Sequence, residues 1–237
     1  MTQIIDKKNG DLKLSISDDV LFVEKVQVIK NMIESLEMEY AVFGSCGLQT
    51  FFEYFFRIPN DLDIIIKKKD IGIVKQYCNK MQFGVLDEIG KFKINISGFS
   101  IHVIPEVINI MQKPQRVFFG SINIKTYLSA TLSKSIRLLN CEKIISLKVL
   151  PLELNIILEL CRPVYTSSIF MLYYTFRYLK INSHLLKAII EENILFREIV
   201  TYRLNQYKEK FFLLPYLSNE DIQYARNQID FTLAILN

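Results

Sequence analysis

The 237-residue chain has two histidines, His102 and His184, and four cysteines, Cys46, Cys78, Cys141 and Cys161, with no C-x-x-C pair among them. Structural zinc sites draw on Cys and His at short spacings, so a zinc module is not expected, and scattered thiols fit a reducing compartment. Glycine (8) and proline (6) are scarce while half the residues are hydrophobic. That composition excludes a disordered chain and predicts a packed interior. Long apolar runs are missing too. The greasiest window, "SSIFMLYYTF", is about ten residues long and ends at Arg177, against the roughly 20 that a helix needs to cross a bilayer. The opening "MTQIIDKKNGD" has no apolar segment after a basic one, so no secretory signal is expected. These absences predict a soluble, cytoplasmic protein with no membrane association. The net charge of +4 is thinly spread, its densest cluster being Lys67-Lys68-Lys69. Nucleic-acid backbones are bound by many clustered cations, so this cluster reads as a solvated strand end.

What is present falls into two patterns. In the first half, "DDVLFVEKVQVIKNMIESL" has apolar residues at helical spacing, with Ser17 or Asp18 as N-cap. "YAVFG" reads as a buried strand, "CGLQTFFEYFF" as a helix, "LDIIIK" as a strand and "DIGIVKQYCNKM" as a helix. The runs "FGVLDEI", "KFKINIS" and "FSIHVIP", separated by Gly90 and Gly98, suggest an antiparallel meander, and "QRVFFGSINI" adds an extended segment. From about Lys125 glycine is absent, and leucine, isoleucine and tyrosine recur every three or four residues. Breaks fall near Pro151, Pro163, Asn182-Ser183 and Pro215 to Ser218. This half reads as five or six bundled helices, the last from about Asn219 to Leu236. The expected fold class is α+β: a small mixed or antiparallel sheet with flanking helices over residues 1–122, then an all-α helical bundle over residues 123–237.

The densest chemistry lies in "YAVFGSCGLQTFFEYFFRIPNDLDIIIK". Residues i and i+2 of a strand share a face, so Asp61 and Asp63 project side by side. Their like charges repel unless a cation lies between them, or unless the strand end is simply solvated. A hard divalent cation such as Mg2+ suits the first case, because it takes carboxylate and phosphate oxygens together. Ahead of them, Gly44-Ser45 opens a helix, offering free N–H groups and a hydroxyl to phosphate oxygens. Arg57, four residues before Asp61, is placed either to neutralise a phosphate or hold the aspartates, or to form an ordinary surface pair.

The string G-S-x-G-L…R-x-P-x-D-L-D-I, in that order, resembles the signature of the polymerase-β-like nucleotidyltransferase superfamily. The arginine before the first aspartate is similar to that of abortive-infection (AbiEii-type) toxins and of antibiotic nucleotidyltransferases acting on aminoglycosides or lincosamides. The resemblance covers about residues 40–105 in motif terms. It implies a nucleotidyltransferase sheet and transfer of a nucleoside monophosphate from an NTP to an acceptor hydroxyl or phosphate. It also implies Asp61 and Asp63 as ligands of Mg2+ (or Mn2+), and Gly44 and Ser45 as holders of the triphosphate. The acceptor is left open among small molecule, RNA and protein, as are the base, the oligomeric state and any toxin–antitoxin or antibiotic-resistance role.

Two departures from that pattern stand out. The family's third carboxylate would fall in "GFSIHVIPE", where His102 stands instead. An imidazole favours softer ions such as Mn2+ or Zn2+, and its reference pKa of about 6.5 suits a base. The alternatives are a site that binds nucleotide without efficient turnover, or another acid serving: Glu106, Asp87 or Glu88. The second departure concerns a phosphate-facing lysine on the first helix after the sheet. Here the resemblance points to Thr131, with Lys134 a turn away on a helix read from "IKTYLSATLSKSI", where Thr131, Lys134 and Ser135 share a face. Lys134 reads either as that lysine or as a solvated cation. Tyr165, Phe170, Tyr173, Tyr174 and Phe176 read as bundle core rather than as a base-stacking surface.

Overall fold

Tyr40–Phe43 (β1) is buried throughout, and Asp61–Ile66 (β2) is buried after its first residue. Strands covered on both faces have this unbroken apolar character and belong near the middle of a sheet. The computed structural model describes residues 16–88, 91–112, 117–138, 141–162, 166–192, 194–214 and 217–236. In chain order α1 (Ile16–Ser35) precedes β1, α2 (Gly44–Gln49) follows it, and α3 (Ile71–Lys80) follows β2. Then come β3 (Gly84–Glu88), β4 (Lys91–Ile96), β5 (Phe99–Pro105), β6 (Val107–Gln112) and β7 (Val117–Asn123). A short α4 (Lys125–Leu128) leads to β8 (Leu132–Leu138) and β9 (Cys141–Val149). The remainder is helical: α5 (Leu152–Leu160), α6 (Thr166–Tyr178), α7 (Ser183–Glu191), α8 (Ile194–Lys210) and α9 (Asn219–Leu236).

Seven strands form one open, mostly antiparallel sheet in the order β3-β4-β5-β2-β1-β9-β8, and β6-β7 form a separate antiparallel ribbon. The expected meander is present as β3-β4-β5, whose last strand lies parallel to β2. The fold is α+β, with helices on both faces of the sheet. Alternation along the central strands divides the core in two. Tyr40, Val42, Leu62, Ile64 and Ile66 pack with α1 and α3, whereas Ala41, Phe43 and Ile65 pack with α2 and the C-terminal helices. The expected breaks at Pro151 and Asn182 are helix starts; the Asn182 side chain accepts a hydrogen bond from the Leu185 N–H, capping α7.

Three sequence expectations are corrected. Ser17 and Asp18 lie within α1 rather than capping it. Helix α2 stops at Gln49, and residues 50–60 form turns and bends with one bridge from Phe55 to Leu138. Adjacent Phe55 and Phe56 enter opposite cores, which an extended chain allows and a helix, turning about 100° per residue, does not. The third correction is larger: from Leu132 to Val149 the part of the second half read as helical is the β8-β9 hairpin. Ile136 and Leu138 of β8, and Ile145, Leu147 and Val149 of β9, alternate inward at period two. Spacings of four residues satisfy both a strand and a helix, which is why the pattern misleads. All four cysteines are free. Among the described residues, no helix is long and apolar enough to cross a membrane.

Candidate metal and nucleotide site

Because β2 alternates, Asp61 and Asp63 project from the sheet face that carries α2 and α5. The parallel register of β2 and β5 pairs Asp63 with His102, and paired residues on neighbouring strands project to the same side. His102 Nδ1 lies 3.0 Å from Asp63 Oδ1 and 3.5 Å from Asp61 Oδ2. Ligand atoms of Asp61, Asp63 and His102 all fall within 4.8 Å of one another. Two carboxylates and an imidazole, converging so closely, fit a divalent cation; the nitrogen inclines the set toward Mn2+ or Zn2+ beside Mg2+.

Gly44 closes the opposite side. It begins α2 directly after β1, whose last residue, Phe43, pairs with Asp63. Its φ of +68° favours glycine, and a Cβ there would lie 2.6 Å from Asp63 Oδ2. Gly44 therefore lies directly against Asp63. Gly47 has a different role: a Cβ there would come 2.8 Å from Asn155 Oδ1 of α5, so it lets two helices pack closely.

Two residues that no sequence motif marks, Arg162 and Glu159, extend the cluster. Arg162, just beyond α5, places Nη1 3.4 Å from Asp63 Oδ2 and 3.3 Å from Glu159 Oε2. Glu159 is 3% exposed, and its other oxygen accepts a hydrogen bond from Ser168 Oγ at 2.5 Å. Burial works against the Arg162 charge, but Glu159, Asp63 and Asp61 outweigh it and raise its pKa. A signal for this group exists in "LELNIILEL": α5 is buried along its whole length, so each polar residue in it needs a partner. Glu153 accepts the Asn182 N–H, Asn155 donates to the Leu150 carbonyl, and Glu159 takes Arg162 and Ser168.

Arg57 also reaches this neighbourhood. Burial lowers its pKa, while the charges of Glu159 and Asp61 oppose that shift. Its Nε is buried and finds no hydrogen-bond acceptor among the described residues. Asp61 is under the same strain from the other sign: burial and the Asp63 charge push its carboxyl above the ordinary range, against His102, Arg162 and Lys91.

Other candidates lie elsewhere. Lys134 is on β8, at the sheet edge, with Nζ 4.6 Å from the centroid of the Phe51 ring. It stands three strands, about 14 Å, from β2, and on a strand it shares no face with Ser135. Asp87 pairs with Lys75, Glu88 with Lys91, and Glu106 accepts the Lys68 N–H, so none of these acids joins the aspartates. Tyr173 and Phe176 are buried in the helical core, while Phe170 and Tyr174 pack on Phe56. Tyr165 lies outside the described residues.

The chain is loosely similar to several solved nucleotidyltransferase structures. The antibiotic-resistance factor ANT(2'')-Ia is 9% identical over 93% of this chain and 95% of that one, with a TM-score of 0.42. The lincomycin-bound lincosamide antibiotic adenylyltransferase LnuA is 11% identical over 62% and 92%, with a TM-score of 0.44. An antigenic nucleotidyltransferase-like protein from Paracoccidioides brasiliensis is 13% identical over 87% and 92%, with a TM-score of 0.41. No protein-family model matches the sequence, and no curated protein matches it. These likenesses are loose, and residue roles rest on the geometry above.

Proposed function

We propose that the protein is a divalent-metal-dependent nucleotidyltransferase, moving a nucleoside monophosphate group from an NTP to an acceptor with release of pyrophosphate. The observation that carries this reading is the convergence of Asp61, Asp63 and His102 within 4.8 Å, against a glycine turn that admits no side chain. Asp61 and Asp63 hold the cation, with His102 standing where the resembled family has a third carboxylate. When bound, the cation neutralises triphosphate oxygens and polarises the phosphoryl centre. Gly44 and Ser45 line the triphosphate side, and the Arg57 guanidinium offsets phosphate charge at the rim. His102 serves as a third ligand or as base toward the acceptor, and its nitrogen makes Mn2+ at least as effective as Mg2+.

A second reading, a nucleotide-binding protein with little turnover, is favoured by one observation: both oxygens of Asp63 already have partners, His102 and Arg162. Incubation of α-labelled ATP, GTP, CTP and UTP with Mg2+ or Mn2+ and a panel of acceptors separates the two. Aminoglycosides, lincosamides, tRNA and protein make up the panel. Label transfer to one acceptor, lost in Asp61→Asn, is the expected result. Tight NTP binding without transfer to any acceptor supports the second reading, and failure to bind any NTP with either metal removes both.

A further inference from the structure

Building on the nucleotidyltransferase reading, we propose that Arg162 is a displaceable cation. It pairs with Asp63 and passes to a phosphate oxygen of the nucleotide when a divalent ion takes its place on that carboxylate. Glu159 is its tether. The two grips on the guanidinium differ in kind. Glu159 is buried and fixed from behind by Ser168 Oγ at 2.5 Å, so it stays in place. Asp63 Oδ2 is the oxygen that faces Gly44, and Arg162 Nη1 reaches it at 3.4 Å beside the same turn, lying 3.4 Å from where a Gly44 Cβ would stand. A guanidinium has no lone pair to give a metal, and two cations on one carboxylate repel, so ion and arginine compete for Asp63.

The charge count points the same way. Asp61, Asp63 and Glu159 face two guanidinium groups, Arg57 and Arg162, which leaves one formal negative charge. A divalent ion reverses that sign, and the triphosphate that follows it needs cations of its own. Arg162 is the group placed to supply one, because its side chain is 40% exposed while anchored at Glu159. Planar, bidentate recognition of phosphate is what arginine does best. If the ion pair were only structural, removing its charge would lower stability and leave metal and nucleotide affinities moving together.

The test is a Mn2+ titration followed by electron paramagnetic resonance, on wild type and Arg162→Gln, with and without a nonhydrolysable NTP. The variant is expected to bind free Mn2+ about threefold tighter or more, and the Mn2+–nucleotide complex about tenfold weaker or more. Arg162→Lys keeps the charge but lacks the planar fork. Its free Mn2+ affinity is expected within about twofold of wild type, with weakened nucleotide binding. This second variant decides the matter should the glutamine one fail to fold, and wild-type behaviour of the lysine variant in both titrations overturns the proposal. Wild-type protein that binds neither Mn2+ nor nucleotide contradicts the nucleotidyltransferase reading itself. Wild-type binding, with both affinities of Arg162→Gln moving in one direction or not at all, overturns the role of Arg162 alone.

Discussion

Asp61 and Asp63 sit two residues apart on one strand face with opposite energetic standing. Asp63 is 5% exposed and satisfied by His102 and Arg162. Asp61 is pushed up by burial and by the Asp63 charge. A carboxyl whose folded pKa is raised costs nothing below its unfolded pKa of about 3.9 and becomes destabilising as pH rises through the folded value. Asp61→Asn is therefore expected to match the wild-type melting temperature at pH 3.5 and to exceed it at pH 7, while losing metal-dependent nucleotide binding. Asp63→Asn should melt lower at pH 7, because it strips partners from Arg162 and His102. Scanning calorimetry at both pH values checks the pair, and the same sign of change for both variants at pH 7 refutes the distinction. Gly44 offers the other residue-scale test. Gly44→Ala sets a methyl against Asp63 Oδ2 at a positive φ, and is expected to destabilise by about 1–3 kcal/mol and to abolish nucleotide binding. Denaturant unfolding and fluorescence titration read the two effects.

At the scale of elements, Lys134 follows its strand. Fixed on β8 over the Phe51 ring, its ammonium belongs to a cation–π contact. Lys134→Ala is expected to cost about 0.5–1 kcal/mol of stability and to leave NTP affinity within about twofold. A tenfold loss of affinity in a calorimetric titration contradicts that placement. The carboxylate pair was legible in the sequence because strand alternation is local: Asp61-x-Asp63 must share a face wherever the strand lies. So were β1, the β3-β4-β5 meander and α9, each bounded by its own turn residues. The β8-β9 hairpin was not, since Leu132 and Ile136, four residues apart, satisfy helix and strand periods alike, and only pairing with β1 decides between them. Arg162 was hidden for a related reason. It lies 99 residues from Asp63 along the chain, and only α5 packing on α2 brings the two together. The buried acids of α5 announced that partners exist without naming them.

Across the whole molecule, the candidate site lies where the sheet face meets the helical half. β2, β5, the α2 turn and the end of α5 all contribute on the one sheet face that the helical core covers. Loading the site should therefore be felt in both halves. Hydrogen exchange with Mn2+ and a nonhydrolysable NTP is expected to slow across residues 42–48, 60–66 and 156–162 together, with little change in α9. Protection confined to the sheet segments would mean that the helical half does not close on the ligand. The proposed activity requires a divalent ion, which Asp61 and Asp63 would hold beside the nucleotide phosphates. The most direct measurement is isothermal titration of a nonhydrolysable NTP into wild type and into Asp61→Asn/Asp63→Asn, each with Mn2+ and with chelator. Binding that requires Mn2+ and falls about a hundredfold or more in the double variant is the predicted result. Equal binding in the presence of chelator, or in the double variant with Mn2+, contradicts a metal-dependent nucleotide site on Asp61 and Asp63.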